Sequence, residues 1–358
     1  MRKLIFVFLA FLLIQGCSFP FKENSNNKNE NTQSEKSFPI VSFSGGTNSN
    51  DNSIAGTSSF NPVSGTKYFQ SISVTIYYKD KDDLLIPVTR KIEKQDGIAR
   101  ASVAALIDNA ANRERLQYFG LYPVLPQGTE VLGLDIKDGI ATIDFNSAFL
   151  GFKSQLEEKN AIAAVVYTLT EFATVDNVKI LVNGELQKSY KFSGEMPVML
   201  NRDNIMINSD KLLCAEGKNK SDIYLHKVFN EKYTYLAPLS IEHSKIDVQY
   251  VASKLVELMD NDYSDKKLVS FLPPGTKIVD SSISGNVLVV NFNENLVNYG
   301  GAAREEALLN QLLFSMKQIS GIEKVRIMVN SKRSTLPEGT DISKDVIIPS
   351  LINDYIDP

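Results

Sequence analysis

Apolar residues in the first half of the chain switch between an alternating and a helical spacing. Alternating, β-rich segments at residues 74–78 and 84–90 predict two strands. Pro87 places the second strand at a sheet edge, because proline cannot donate a ladder hydrogen bond. An alanine-rich segment with apolar residues three or four apart predicts a helix over residues 99–111. A Leu-Pro-Gln-Gly-Thr turn at 125–129 ends this helical part of the pattern.

Beyond that turn the same alternation between strand and helix patterns returns. Leu132, Leu134 and Ile136 alternate before Asp138-Gly139, and residues 141–145 alternate after it, which predicts an antiparallel hairpin. An apolar stripe predicts a helix over residues 157–173, and alternation at 178–182 predicts a final strand. The predicted order is therefore strand, strand, helix, strand, strand, helix, strand.

The turn at residues 125–129 occurs a second time, 147 residues later, as Leu-Pro-Pro-Gly-Thr at 272–276. Residues 125–183 match residues 272–330 without a gap, and twelve of these 59 pairs are identical. The apolar stripe of the predicted helix keeps its positions although none of its five residues is identical. A match at one fixed spacing indicates a duplicated domain.

The second copy has the same predicted elements, with strands near 223–226 and 235–241 and a helix over 248–259. The sequence thus predicts an α+β protein with tandem two-layer α/β sandwich domains, each of the order ββαββαβ. The expected divisions are a leader at 1–17, a tether at 18–68, a first domain at 69–200, a second domain at 218–345 and a C-terminal tail at 346–358.

A third turn of the same kind, Leu-Pro-Glu-Gly-Thr, lies at residues 336–340 and leads into an apolar segment at 346–349. We expect this segment, and the polar interval at 186–220, to lie as extended chain on the domains. The turns differ from a sortase signal, in which threonine precedes glycine. All three are therefore interpreted as chain reversals.

The N-terminus has the features of a lipoprotein leader. Arg2 and Lys3 precede an apolar run at residues 4–14, which is short for a membrane span, and Gly16-Cys17 follows it. Cys17 is therefore the predicted lipidation site; an ordinary secretory leader is the alternative. The following tether is rich in Asn and Ser, so we expect it to be disordered.

The net charge and a few individual residues argue against several classes of function. A net charge of −4 gives no electrostatic basis for binding nucleic acid. Asp144 is replaced by Asn291 in the second copy, which favours a turn residue over a general base. His226 and His243 have no cysteine or acidic cluster beside them and are expected on strand surfaces. Cys214 is expected to be a free thiol, with an intermolecular disulfide as the alternative.

The segments at residues 122–129 and 137–145 resemble the GerMN domain of sporulation and spore germination proteins. The second copy, at 271–276 and 287–292, is similar but has Gly285-Asn286 where the first has Asp138-Gly139. The resemblance implies a fold like the ring-building domains of secretion-type assemblies. It also implies a non-enzymatic part of the envelope machinery between mother cell and forespore, with no catalytic, cofactor or metal residues to assign.

We therefore expect a protein on the extracytoplasmic face of the cell membrane, lipid-anchored and acting as a scaffold. Its expected partners are the membrane, through the anchor, and envelope or sporulation channel proteins; self-association into a homo-oligomer stays open. Two domains on one chain favour this reading, because two weak contacts gain avidity. The alternative is an envelope module that binds peptidoglycan or a small germinant, which predicts a concave site with convergent polar groups in one repeat.

Overall fold

Two copies of one α/β unit make up residues 71–93, 95, 97–229 and 233–354, which are the residues that the computed structural model describes. The first repeat contains the strands β1 (Ser71–Asp80), β2 (Leu85–Glu93), β3 (Leu121–Tyr122), β4 (Val131–Lys137), β5 (Ile140–Phe145), β6 (Asn177–Val182), β7 (Glu185–Leu186), β8 (Ser189–Tyr190) and β9 (Gly194–Glu195), and the helices α1 (Ile98–Ala104), α2 (Ala110–Gln117) and α3 (Gln155–Leu169).

The second repeat contains the strands β10 (Asn219–Val228), β11 (Thr234–His243), β12 (Ile278–Ser284), β13 (Val287–Phe292), β14 (Lys324–Val329) and β15 (Val346–Ile347), and the helices α4 (Val248–Met259) and α5 (Ala302–Met316). The predicted order of strands and helices is therefore confirmed in both copies.

Each repeat has a long hairpin and a four-stranded sheet, with a central helix packed against strands. The hairpins are β1–β2, extended by β3, and β10–β11; the larger sheets have the orders β4-β5-β6-β7 and β12-β13-β14-β15. β5 pairs in parallel with β6, and β13 with β14, so the larger sheets are mixed. The fold is the predicted α+β arrangement, and β2 lies at a sheet edge as Pro87 indicates.

Equivalent hydrogen bonds fix helix against hairpin in the two repeats. The Thr168 hydroxyl on α3 accepts from the Tyr77 amide at 3.2 Å, and the Ser315 hydroxyl on α5 accepts from the Tyr224 amide at 2.9 Å. Thr168 and Ser315 are 147 residues apart, as are Tyr77 and Tyr224, so the duplication preserves this contact.

The repeated Leu-Pro-x-Gly-Thr turn is held by an asparagine at the end of the central hairpin. Asn146 accepts from the Glu130 amide and donates to the Gly128 carbonyl, at 3.1 and 2.9 Å. Asn293 makes the same two bonds to Lys277 and Gly275 in the second repeat, both at 3.0 Å. The interpretation of these turns as chain reversals is confirmed.

The third turn is held differently, by a buried carboxylate on α5. Glu305 accepts from the amides of Glu338 and Thr340 at 2.8 and 3.0 Å. Glu158 has the equivalent place on α3 and accepts from the amides of Phe192 and Ser193. Each repeat thus uses one helix glutamate to fasten the chain segment that follows its last long strand.

Two local expectations were wrong. The helix predicted over 99–111 is broken into α1 and α2, because Asn109 caps α2 through the Asn112 amide and Ile107 forms a β-bridge with Leu125. Leu132 is 46% exposed because the β4–β5 register shifts between Val131 and Gly133. Such a bulge turns a side chain away from the core.

Candidate functional site

The predicted lipidation site, Cys17, and the leader and tether lie outside the described residues. Asp144 has a structural role, because its Oδ1 accepts from the Gly184 amide at 3.0 Å. Asn291 accepts from the Ser331 amide at 2.7 Å in the equivalent place. Both residues lie near the ends of strands, β5 and β13, and accept a hydrogen bond from a backbone N–H of the turn that follows the neighbouring strand, as the structural interpretation expects.

The two histidines are buried, so the expectation that they lie on strand surfaces was wrong. His226 is 5% exposed; its Nε2 lies 3.0 Å from the Ala307 carbonyl, and its ring packs edge-on against Phe271. His243 is 7% exposed and lies between the Ser221 hydroxyl and the Lys245 carbonyl. Both ring nitrogens of His243 are hydrogen-bonded, whereas the Nδ1 of His226 is buried without a partner among the residues that the structure describes. Within the described residues no group of three His, Cys, Asp or Glu side chains is placed to hold a metal ion.

Burial lowers the pKa of His226 from 6.5 to about 4. The folded protein therefore keeps this ring neutral while the unfolded chain takes up a proton, and stability is lost as pH falls from about 6.5 towards about 4. The full loss is on the order of 3 kcal/mol. His226→Gln retains a hydrogen-bond donor but cannot take up this proton. In urea unfolding we therefore expect the variant to lose less free energy of unfolding than the wild type over this pH range. Parallel pH–stability curves for the two proteins would contradict this.

Cys214 is an unbridged, partly buried thiol. Burial, followed by the nearby Glu242 carboxylate, raises its pKa. This lowers the thiolate fraction and hence the reactivity of the group. The alternative of an intermolecular disulfide stays a prediction.

The two repeats meet along their outer strands β2 and β11, where asparagine side chains join the two edges. Asn208 donates to the carbonyls of Leu85 at 2.9 Å and Pro238 at 2.7 Å, and accepts from the Leu85 amide at 2.7 Å. Leu85 belongs to the first repeat and Pro238 to the second. One side chain therefore satisfies backbone groups of both edge strands.

Asn353 makes the reciprocal set of bonds. It donates to the carbonyls of Leu236 at 2.8 Å and Pro87 at 2.7 Å, and accepts from the Leu236 amide at 2.9 Å. Asn208 joins Leu85 to Pro238, and Asn353 joins Pro87 to Leu236. The residue numbers rise along β2 while they fall along β11, so the two strands run antiparallel across a pseudo-two-fold axis. We call this contact, with the segments 207–208 and 352–353, the repeat junction.

The isoleucine before each asparagine also bonds to the other repeat. Ile207 and Ser240 are joined through the Ile207 amide and the Ser240 hydroxyl, and through the Ser240 amide and the Ile207 carbonyl, at 2.8 and 3.0 Å. Ile352 and Thr89 are joined in the same way, at 2.9 and 2.8 Å. These short segments occupy edges that would otherwise present unpaired backbone groups.

A buried ionic network lies on one side of the repeat junction. The fully buried Asp222 pairs with Lys220 at 2.8 Å, and the lysine side chain is only 2% exposed. Its carboxylate also accepts from the Ser240 hydroxyl at 2.5 Å and the Tyr167 hydroxyl at 3.0 Å. Because Tyr167 lies on α3 and the other residues on β10 and β11, this network crosses between repeats.

Arg202 extends the network along α3. Its guanidinium pairs with Glu171 at 2.5 Å, donates to Thr170 and lies over the Tyr167 ring at 4.7 Å. Burial alone would raise the pKa of Glu171, but the Arg202 charge and hydrogen bonds from Tyr77 and Arg202 outweigh it and lower the pKa. The carboxylate therefore stays ionised beside its cation.

A second ionic cluster joins the β1–β2 turn to the second repeat. Lys227 is 3% exposed and lies 2.6 Å from the Asp82 carboxylate and 3.4 Å from that of Asp80. Lys267 contacts the other Asp82 oxygen at 2.5 Å. Hydrogen bonds from the two lysines lower the pKa of Asp82 to about 2.

A cleft of about 720 Å³ opens in the first repeat beside the 125–129 turn. Its walls come from the β1–β2 turn, the segment at 122–127, and the residues that lead into α3. It contains charged, aromatic and apolar side chains together. The ligand-binding alternative requires a concave site in one repeat, and this cleft is larger than a second candidate of about 330 Å³, which lies between α4 and the start of β12.

The repeat junction was not predicted from the sequence. Its asparagines, 145 residues apart, follow isoleucine in both copies and have left-handed φ values of 54° and 49°, which asparagine tolerates better than most residues. The paired Ile-Asn dipeptides at 207–208 and 352–353 were the available signal. They lie outside the gapless 147-residue match and so were missed.

Together, the duplicated fold and the pseudo-symmetric junction define a tandem α/β-domain protein whose two repeats form one body. A family model described as "Germane: Sporulation and spore germination" matches residues 75–188 and 228–344. These ranges cover more than half of the chain, and the chain belongs to this family. The predicted GerMN resemblance is confirmed in both repeats.

One relative, matched by its sequence and by its solved domains, agrees with this assignment. The chain is 24% identical over 286 residues to "Spore germination protein GerM" of Bacillus subtilis (strain 168), covering 76% of each chain. The solved tandem GerMN domains of the sporulation protein GerM from Bacillus subtilis are similar in fold, with a TM-score of 0.68 at 22% identity. That similarity covers 79% of this chain and 99% of the other.

Proposed function

We propose that the chain is a membrane-anchored, non-enzymatic scaffold that acts in sporulation and spore germination through protein–protein contacts. The observation that carries the proposal is the family match over both repeats, since the family and the similar GerM protein bear these processes in their names. The repeat junction supports it, because one body with two domains presents surfaces at a fixed separation. The proposed partners are envelope or sporulation channel proteins.

Cys17 is the proposed anchor, on the extracytoplasmic face of the membrane. No helix within residues 71–354, where described, is long and apolar enough to cross a bilayer. We expect Cys17→Ser to move the protein from the membrane fraction to the soluble fraction of cells. Cys214→Ser, which removes the other cysteine of the chain, is the matched control and should leave fractionation unchanged. Membrane retention of Cys17→Ser would overturn the anchor.

The outer strands of the larger sheets support the scaffold role. β4 and β12 each end a sheet of the described residues, and equivalent bulges expose Leu132 by 46% and Val279 by 58%. We expect Leu132→Lys with Val279→Lys to keep the fold but fail to restore sporulation in a deletion strain. Ile246→Lys, at a site 79% exposed, is the control and should restore it. Full restoration by the double variant would exclude these edges as contact surfaces.

The second candidate function is an envelope module that binds peptidoglycan or a small germinant, and the first-repeat cleft favours it. Co-purification from sporulating cells, with and without cell-wall fragments, separates the two candidates. Recovery of defined envelope proteins that depend on Leu132 and Val279 supports the scaffold. Recovery of muropeptides without protein partners would overturn it.

A further inference from the structure

The first-repeat cleft has the size of a small-molecule site. Its volume of about 720 Å³ lies within the range of about 300–1,000 Å³ that is usual for such sites. Two of its lining residues, Val124 and Leu125, belong to the buried core of the protein. Tyr122 and Phe152 add aromatic surface, and Tyr122 is 40% exposed at the rim. An apolar group on a ligand therefore has a preformed surface to contact.

The carboxylates of the cleft are already engaged by the protein. Asp83 pairs with Lys79 at 2.7 Å and Asp108 with Arg113 at 2.5 Å. Glu157 accepts from the Lys153 amide at 2.8 Å. The remaining acid, Asp80, accepts from the amides of residues 82 and 84 and faces Lys227 of the second repeat. Asp83 and Asp108 are thus neutralised by their cations, whereas Glu157 keeps its charge and the buried Oδ2 of Asp80 has no hydrogen-bond partner in the part of the chain that the structure describes.

Two of the four cations in the cleft are uncommitted. Within the described part of the chain, the ammonium groups of Lys81 and Lys153 make no ion pair, and both side chains are exposed. Set against the Glu157 carboxylate, these two ammonium groups leave the cleft with an excess of one positive charge. A carboxylate is the simplest group that two separate ammonium groups and an aromatic rim can bind together.

The second repeat lacks this chemistry. At the 147-residue spacing, Val228, Val269 and Gly300 replace Lys81, Tyr122 and Lys153. The turns and core are duplicated, but the two free cations and the exposed ring belong to the first repeat alone. Maintenance of the fold does not require them, since the second repeat folds without them.

We propose that the first-repeat cleft binds a small carboxylate-bearing molecule with an apolar body, of the kind that a short peptide with a free C-terminus presents. Lys81 and Lys153 bind the carboxylate, and Tyr122 contacts the apolar part. Lys227 of the second repeat holds the turn that forms one wall, so the cleft is shaped by both repeats. The inference rests on the second candidate function and is independent of the scaffold.

The test uses isothermal titration of the full chain with N-acetyl-alanyl-alanine and with its C-terminal amide. We expect the free acid to bind at least about tenfold more tightly, because only it carries the charge. Lys81→Val and Lys153→Gly, which install the second-repeat residues, should each weaken binding by a similar factor. Lys317→Ala, at an exposed site on the second repeat, is the control and should leave it unchanged.

Peptides of L-alanine and of D-alanine distinguish an ordinary peptide C-terminus from a cell-wall stem, and binding of either supports the cleft. Equal binding of acid and amide, or no binding of any acid, overturns the inference. So does unchanged affinity in both lysine variants. None of these outcomes bears on the scaffold, which is tested separately by restoration of sporulation with the Leu132 and Val279 variant.

Discussion

Asp222→Ala is expected to lower the free energy of unfolding by about 3–5 kcal/mol, because it leaves Lys220 buried without its counter-ion. The lysine side chain is 2% exposed and pairs with this carboxylate at 2.8 Å, so water cannot readily replace the partner. The hydroxyls of Tyr167 and Ser240 also lose their acceptor. Urea denaturation followed by circular dichroism measures the change.

Two further variants separate the charge from the hydrogen bonds. Tyr167→Phe removes one donor and should cost about 1–2 kcal/mol. Replacing Lys220 and Asp222 together with methionine and leucine removes both charges and should recover much of the loss. A cost below about 1 kcal/mol for Asp222→Ala would contradict the assignment of a dry ion pair at the repeat junction.

Asn353→Ala is expected to lower the free energy of unfolding by about 2–4 kcal/mol, because three buried backbone groups lose their partner. These groups are the amide and carbonyl of Leu236 and the carbonyl of Pro87. They belong to edge strands that face each other rather than water. The same denaturation measurement applies.

Asn208→Ala is the pseudo-symmetric variant and should cost a similar amount, since it frees the groups of Leu85 and Pro238. Asn286→Ala is the control: its exposed side chain donates to Glu323, and its loss should cost less than about 0.5 kcal/mol. If Asn353→Ala costs no more than Asn286→Ala, the two asparagines do not hold the junction.

The chemistry of the junction differs between its two halves, which specifies how the repeats pair. At equivalent positions, Phe314 replaces Tyr167 and Thr75 replaces Asp222. Thr75 pairs with the Thr89 hydroxyl at 3.0 Å, a neutral counterpart of the Asp222–Ser240 contact. Two second repeats would therefore place phenylalanine where Asp222 needs a donor. The arrangement favours the pairing of first and second repeat within one chain.

Much of the fold could be predicted because each element has a periodicity of its own. The alternation around Asp138-Gly139 predicted the hairpin, and both residues have the left-handed φ, 50° and 76°, that such a turn requires. The helix at 248–259 was predicted to the residue. Periodicity does not report bulges, so the exposure of Leu132 was missed.

The site was harder to predict because its contacts join residues that are distant in the sequence. Asn353 contacts residues 117 and 266 positions away, and no local pattern records such a pair. The histidines were misplaced for a related reason: His226 bonds to the Ala307 carbonyl, 81 positions away, and His243 to the Ser221 hydroxyl, 22 positions away. The unpaired charge of the cleft becomes visible only when each acid is matched with its partner.

We expect the two repeats to open and unfold as one cooperative body, because the repeat junction holds them together. Hydrogen exchange of the core amides in β5 and β13, in the full chain and in Asn353→Ala, tests it most directly. Both strands should give the same opening free energy, and the variant should lower both by the same amount. Loss of protection in only one of the two strands would contradict the claim.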